Sequence, residues 1–183
     1  VRNSDVACPD EETAQAMRDE IDRARAQGDS LGGVVTVVVR NVVPGVGGYA
    51  SAHQRLDARL ASALMSIQAI KGVEIGTGIG CASMPGSLVH DPIELGPDGH
   101  AVRRTNNAGG IEGGMTNGEA IVLKAAMKPI PTLMTPLDTV DLITGEQQQA
   151  SRERSDVCAV PAASVVAEAE VAFVVANAYL EKF

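Results

Sequence analysis

Arg154 and Asp156 stand two residues apart in the run RSDVCAVPAASVVAEAE, from Arg154 to Glu170, just ahead of a long apolar stretch. Side chains alternate in an extended segment, so the guanidinium and the carboxylate face one side and Ser155 the other. A fixed cation beside a carboxylate suits an anionic substrate that must also lose a proton. A local ion pair, or Asp156 as a helix cap with Arg154 in solvent, would use the same two residues without chemistry. A second pattern is Lys128-Pro129-Ile130-Pro131-Thr132. Its alternate prolines fix an extended backbone, remove two donors and leave every carbonyl free. Such a rigid apolar ledge, with Lys128 beside it, could support a planar cofactor and pair with its phosphate; a simple strand stop is the other reading.

Gln68 closes an otherwise apolar segment, so inside the protein its amide would need partners such as the carbonyl and N–H edges of a ring. Near a helix end it can equally be a partly exposed polar residue. The run from Asn106 to Glu119, NNAGGIEGGMTNGE, could bring backbone N–H groups to a phosphate or a flat ring, or form a flexible turn before a strand. It is neither a Walker A loop nor a GxGxxG turn. His53, His90 and His100 sit in polar segments, with His90-Asp91 the one pair of interest. No Ser/His/Asp order or metal-spaced histidine motif stands out, so hydrolase chemistry is disfavoured and no metal is expected. Cys8, Cys81 and Cys158 are widely spaced with no CxxC, which fits a reducing cytoplasmic setting.

These groups need a scaffold. Acids follow Pro9 and open a helix that ends at Gln27-Gly28, with Arg25 matching the dipole at its end. The β-branched run Val34 to Val43 predicts a strand stopped by Pro44-Gly45. Apolar positions 56, 60, 64, 67 and 61, 65, 69 predict a helix from Leu56 to Ile70 buried on several sides. Short strands are expected at Gly72–Gly76 and Glu119–Met127. Residues 78–107, rich in Gly, Pro and Ser without a period, read as a long mobile loop. The last helix begins near Pro161, a favoured first-turn residue. From Ala162 to Phe183 it is interrupted by Glu168, Glu170, Asn177 and Glu181, and so reads as a buried core helix and not a membrane span. Strands separated by helices give a single layered α/β domain over 1–183.

The 183 residues suffice for one core. A net charge of -8, two Phe, two Tyr and no Trp argue against nucleic acid or an anionic membrane as partner. The chain starts at Val1 and stops at Phe183 without a helix-ending Gly or Pro, so a piece of a longer protein is expected.

Four ordered motifs resemble the C-terminal half of the chorismate synthase family: RLDARLASALMSIQAIKGVEIG (Arg55 to Gly76), RTNNAGGIEGGMTNGE (Arg104 to Glu119), AAMKPIPT (Ala125 to Thr132) and RSDVCAVPA (Arg154 to Ala162). The resemblance implies an α+β layered sandwich with long core helices between antiparallel sheets, assembled as a homotetramer. It implies anti 1,4-elimination of phosphate from 5-enolpyruvylshikimate 3-phosphate to give chorismate, dependent on reduced FMN. By the family's pattern Gln68, Ala69, Gly113, Lys128, Pro129, Ile130, Pro131 and Thr132 match FMN-contacting positions. Arg154 matches a position near both flavin and substrate, and Asp156 the acid that assists uptake of the ring proton. The family's N-terminal motif, two catalytic histidines and further substrate arginines have no counterpart here, so the chain alone is expected to carry about half a site and to lack activity. A non-catalytic flavin- or phosphate-binding fragment and a structural oligomerisation module are the competing readings.

Overall fold

The protein is described by a computed structural model covering residues 4–97 and 99–183. Helix α1 (Glu11–Gln27) starts where the Asp10 carboxylate accepts from the Thr13 amide at 2.8 Å. It stops where Gly28 turns left-handed at φ 70. Only Ala14 and Ala24 of this helix are buried, so it lies outside as its polar composition requires.

Strand β1 (Gly33–Val39) sends Val35, Val37 and Val39 toward the core and Val34, Thr36 and Val38 outward. It ends before the expected Val43, since Asn41 adopts φ 59 and breaks the extended run. Helix α2 (Leu56–Ser66) buries Leu56, Leu60 and Leu64 completely. Spaced by four, they form one stripe; Met65 and Ser66 are exposed, so burial on several sides does not hold. The helix also stops short of Ile70, because Ile67 is already extended and Ala69 has φ 68. Strand β2 (Ile70–Ile75) follows at once.

Residues 78–107 hold a 3-10 turn at Gly78–Ser83, a one-turn helix α3 (Gly86–Val89), and a hairpin of β3 (Ile93–Leu95) with β4 (Ala101–Arg103). These pieces are too short to show a period, which is why the sequence read as loop. A tight hairpin of β5 (Ile111–Glu112) and β6 (Met115–Thr116) leads into β7 (Ile121–Met127). A further hairpin, β8 (Asp138–Val140) with β9 (Gln147–Gln149), precedes α4 (Val160–Lys182).

β7 is the centre of an antiparallel three-stranded sheet between β1 and β2. Its buried residues Ile121, Leu123, Ala125 and Met127 alternate, and with the leucine stripe of α2 and Val46 they make the core. Helix α4 lies beside α2 on this face and buries Ala163, Ala167, Val171 and Ala178. Its C-terminal turn is tied down by a Val43 amide donating to Tyr179 Oη at 2.8 Å, by a two-bond Arg59–Glu181 pair and by Lys182 Nζ on the Gly45 carbonyl. Its other faces are open: Phe173 and Leu180 are 68% and 80% exposed, so the buried core helix of the sequence reading is buried along a single stripe in this chain. The class is α+β, helices on an antiparallel sheet.

Candidate functional site

The ledge begins where β7 ends. The Lys128 amide donates to the Ala69 carbonyl at 2.9 Å, joining the ledge to the turn after α2. Ala69 makes that turn in the left-handed region, a conformation that costs a residue with a Cβ about 1 kcal/mol. Gln68 lies in the same turn and is exposed, since the helix has ended at Ser66. Its amide is therefore open to a ligand and is not a buried group seeking internal partners. Pro129 and Pro131 are exposed and Ile130 and Thr132 half-buried, an apolar strip facing outward. The Lys128 ammonium makes only a 3.5 Å contact with the Pro129 carbonyl, which leaves its charge available.

The Arg154–Asp156 segment runs alongside. Ser155 Oγ donates to the Thr132 carbonyl at 3.1 Å, which ties the segment to the ledge, and Arg154, Ser155 and Asp156 are all exposed. Neither charge has an ion-pair or hydrogen-bond partner among the described residues. Ala159 is the N-cap of α4, so Asp156 does not cap it. The ion-pair and capping readings of these two residues do not hold.

Both stretches are held by a segment that sequence reasoning treated only as a helix end. Ser30 Oγ donates to the Ile130 carbonyl at 2.6 Å, and the Leu31 amide to the Val157 carbonyl at 2.8 Å. The signal was Gly28-Asp29-Ser30-Leu31-Gly32-Gly33, glycines flanking a serine between a helix and a strand.

Gly113 is placed elsewhere. The hairpin turn Gly113–Gly114 sits at the start of α2, where the Leu56 amide donates to the Gly114 carbonyl at 2.9 Å. Ala69 lies beyond the helix's other end. An eleven-residue helix is about 16 Å long, so this chain does not bring Gly113 to the ledge. Nor is the glycine-rich run an open phosphate cradle. The Gly110 amide donates to Asn106 Oδ1, and those of Asn107 and Ala108 to the Asp91 carboxylate at 2.7 and 2.9 Å. Its glycines serve close backbone approach: Cβ atoms at Gly109 and Gly110 would strike the backbones of Gly76 and Ala120. Within His90-Asp91 the acid is the structural group. It also accepts from Thr105 Oγ1 at 2.6 Å. Partial burial pushes its pKa up, but the bonds from Thr105, Ala108 and Asn107 and the charge of Arg103 outweigh it and hold it below the usual carboxylate range. No cluster of metal-ligating side chains occurs among the described residues.

The family model for chorismate synthase matches residues 1–180. The chain belongs to the chorismate synthase family. It is 58% identical to chorismate synthase of Moorella thermoacetica and 59% identical to that of Pelobacter propionicus, each match covering 98% of this chain and 47% and 48% of those proteins. A crystal structure of chorismate synthase superposes with a TM-score of 0.75 at 45% identity, over 93% of this chain and 44% of that one. The chain thus spans about half the length of the chorismate synthases it matches.

Proposed function

We propose that this chain is the part of a cytoplasmic chorismate synthase that seats reduced FMN and handles the ring proton in anti 1,4-elimination of phosphate from 5-enolpyruvylshikimate 3-phosphate. The observation that carries this reading is the junction of the ledge and the Arg154–Asp156 segment through Ser155 and Thr132, with Lys128, Arg154 and Asp156 left unpaired beside it. Two free cations, one free carboxylate, an exposed amide and an apolar strip fit a flat ring carrying an anionic tail. Pro129, Pro131 and Ile130 offer the ring a face. Gln68 and the Ala69 turn supply polar edges, and Lys128 pairs with phosphate. Gly113, at the far end of α2, meets this group only through a part of the protein or a copy outside this chain.

The elimination breaks a ring C–H bond and a C–O bond to phosphate and adds one C=C bond to the ring with no net oxidation, so a base must take up the ring proton and an acid must give one to the leaving phosphate, which departs as hydrogen phosphate. Asp156 holds the departing proton at a carboxylate oxygen or passes it on, and Arg154 orients the anionic substrate and stabilises charge as phosphate leaves. Reduced flavin held by Lys128, Gln68 and the ledge would supply the electron density that this elimination needs. The remaining substrate arginines and histidine acids come from the half that the relatives have beyond this chain. A homotetramer is the assembly that the resemblance implies.

Titration with oxidised FMN, with and without 5-enolpyruvylshikimate 3-phosphate, tests the reading through flavin absorbance. Binding by the protein that substrate tightens, and that K128A weakens, supports a site on this ledge. Binding indifferent to K128A and substrate would move the flavin elsewhere.

A further inference from the structure

The segment from Gly28 to Gly33 is built against both stretches of the proposed site, and none of the four family motifs includes it. Ser30 is 7% exposed, and its hydroxyl donates to the carbonyl of Ile130, the middle residue of the ledge, at 2.6 Å. One residue on, the Leu31 amide donates to the Val157 carbonyl, next to Asp156, and Leu31 bridges Cys158 in parallel. One residue further, Gly32 has no room for a side chain. A Cβ there would strike the Met127 carbonyl and come within 3.0 Å of the Pro129 nitrogen and Cδ. At the segment's start the Thr135 amide donates to the Gly28 carbonyl at 3.1 Å, fixing the chain just past the ledge. Contacts from Gly28, Ser30, Leu31 and Gly32 thus reach residues 127–135 and 157–158 together.

Prolines leave the ledge with few donors to anchor it to a sheet, so its carbonyls must be held from outside. Ser30 holds the carbonyl of Ile130 and Ser155 that of Thr132, each through a hydroxyl on the backbone of the ledge. We infer that Ser30, with Gly32 giving the close approach, is a positioning residue that sets the ledge's distance from Arg154 and Asp156. Misplacing reacting groups by about 1 Å can cost on the order of 100-fold in rate. This inference rests on the site reading above.

The test uses the full-length protein that carries this segment. S30A is expected to lower kcat at saturating FMN roughly tenfold and to weaken FMN binding several-fold, with KM for substrate nearly unchanged. S30T, which keeps the hydroxyl, should recover most of the loss. S155A, at an exposed site, should lower kcat about threefold without affecting folding. S164A serves as control, since Ser164 Oγ donates to the Pro161 carbonyl within α4 at 2.6 Å, away from the ledge; it should change neither readout. Loss of kcat in S30A that tracks lost thermal stability, with S155A neutral, would reduce Ser30 to a fold-holding residue and overturn the inference. Neutral S30A and S155A beside an impaired D156N would overturn it alone. If D156N is neutral as well, the site reading falls and takes the inference with it.

Discussion

Asp156 and Lys128 have opposite charge, and the proposed site assigns them separable duties. Removing the ammonium in K128A should weaken FMN binding about tenfold, as loss of a charge-assisted bond does, with a smaller effect on kcat; flavin titration and steady-state rates separate the two. These residues were legible in the sequence by type and spacing: alternate prolines announce a ledge, and an Arg-x-Asp run ahead of a helix announces two charges on one side. Gln68 was legible as a candidate, either buried or partly exposed near a helix end, and which of the two holds depends on the helix stopping at Ser66 ahead of the pairing of Ile70 with Met127. The glycines around Ser30 mark a tight turn, but its partner was not legible, since a side-chain bond spanning 100 residues leaves no local pattern.

At the scale of elements, helices with alternating stripes and β-branched runs could be read from their period, while the short pieces between 78 and 107 could not. Asp91 accepts three hydrogen bonds, one from Thr105 at the end of that excursion and two from Asn107 and Ala108 at the start of the glycine-rich run. Its pKa is depressed in the folded chain, so the stability it adds is present above the ordinary carboxylate value of 3.8 and is lost as pH falls through the depressed value. Hydrogen exchange of residues 78–107 should therefore accelerate below about pH 4, and D91N should show the fast exchange already at pH 7. Equal protection in D91N and the parent would mean that Asp91 does not hold these residues. In the core, L60A removes a fully buried side chain under α4 and should destabilise by about 2–5 kcal/mol in denaturant unfolding.

The whole molecule presents a helix layer with a sheet on one side only. Val165, Val166, Phe173 and Leu180 of α4 face outward, and an exposed apolar helix face of this kind marks a contact surface. The mostly apolar sequence of α4, interrupted by Glu168, Glu170, Asn177 and Glu181, reads as a buried core helix, whereas this chain buries only the stripe of Ala163, Ala167, Val171 and Ala178. In isolation the chain should therefore associate, and F173E with L180E should shift it toward monomer in size-exclusion chromatography. A monomer before substitution would contradict that. The central claim, that this chain carries the proton-handling acid beside a flavin ledge, is tested most directly by D156N in the full-length protein, with kcat and the FMN dissociation constant measured on the same preparation. The account predicts a fall in kcat of about 100-fold or more with FMN binding altered by less than about threefold. Equal losses in both, or a variant as fast as the parent, would contradict it.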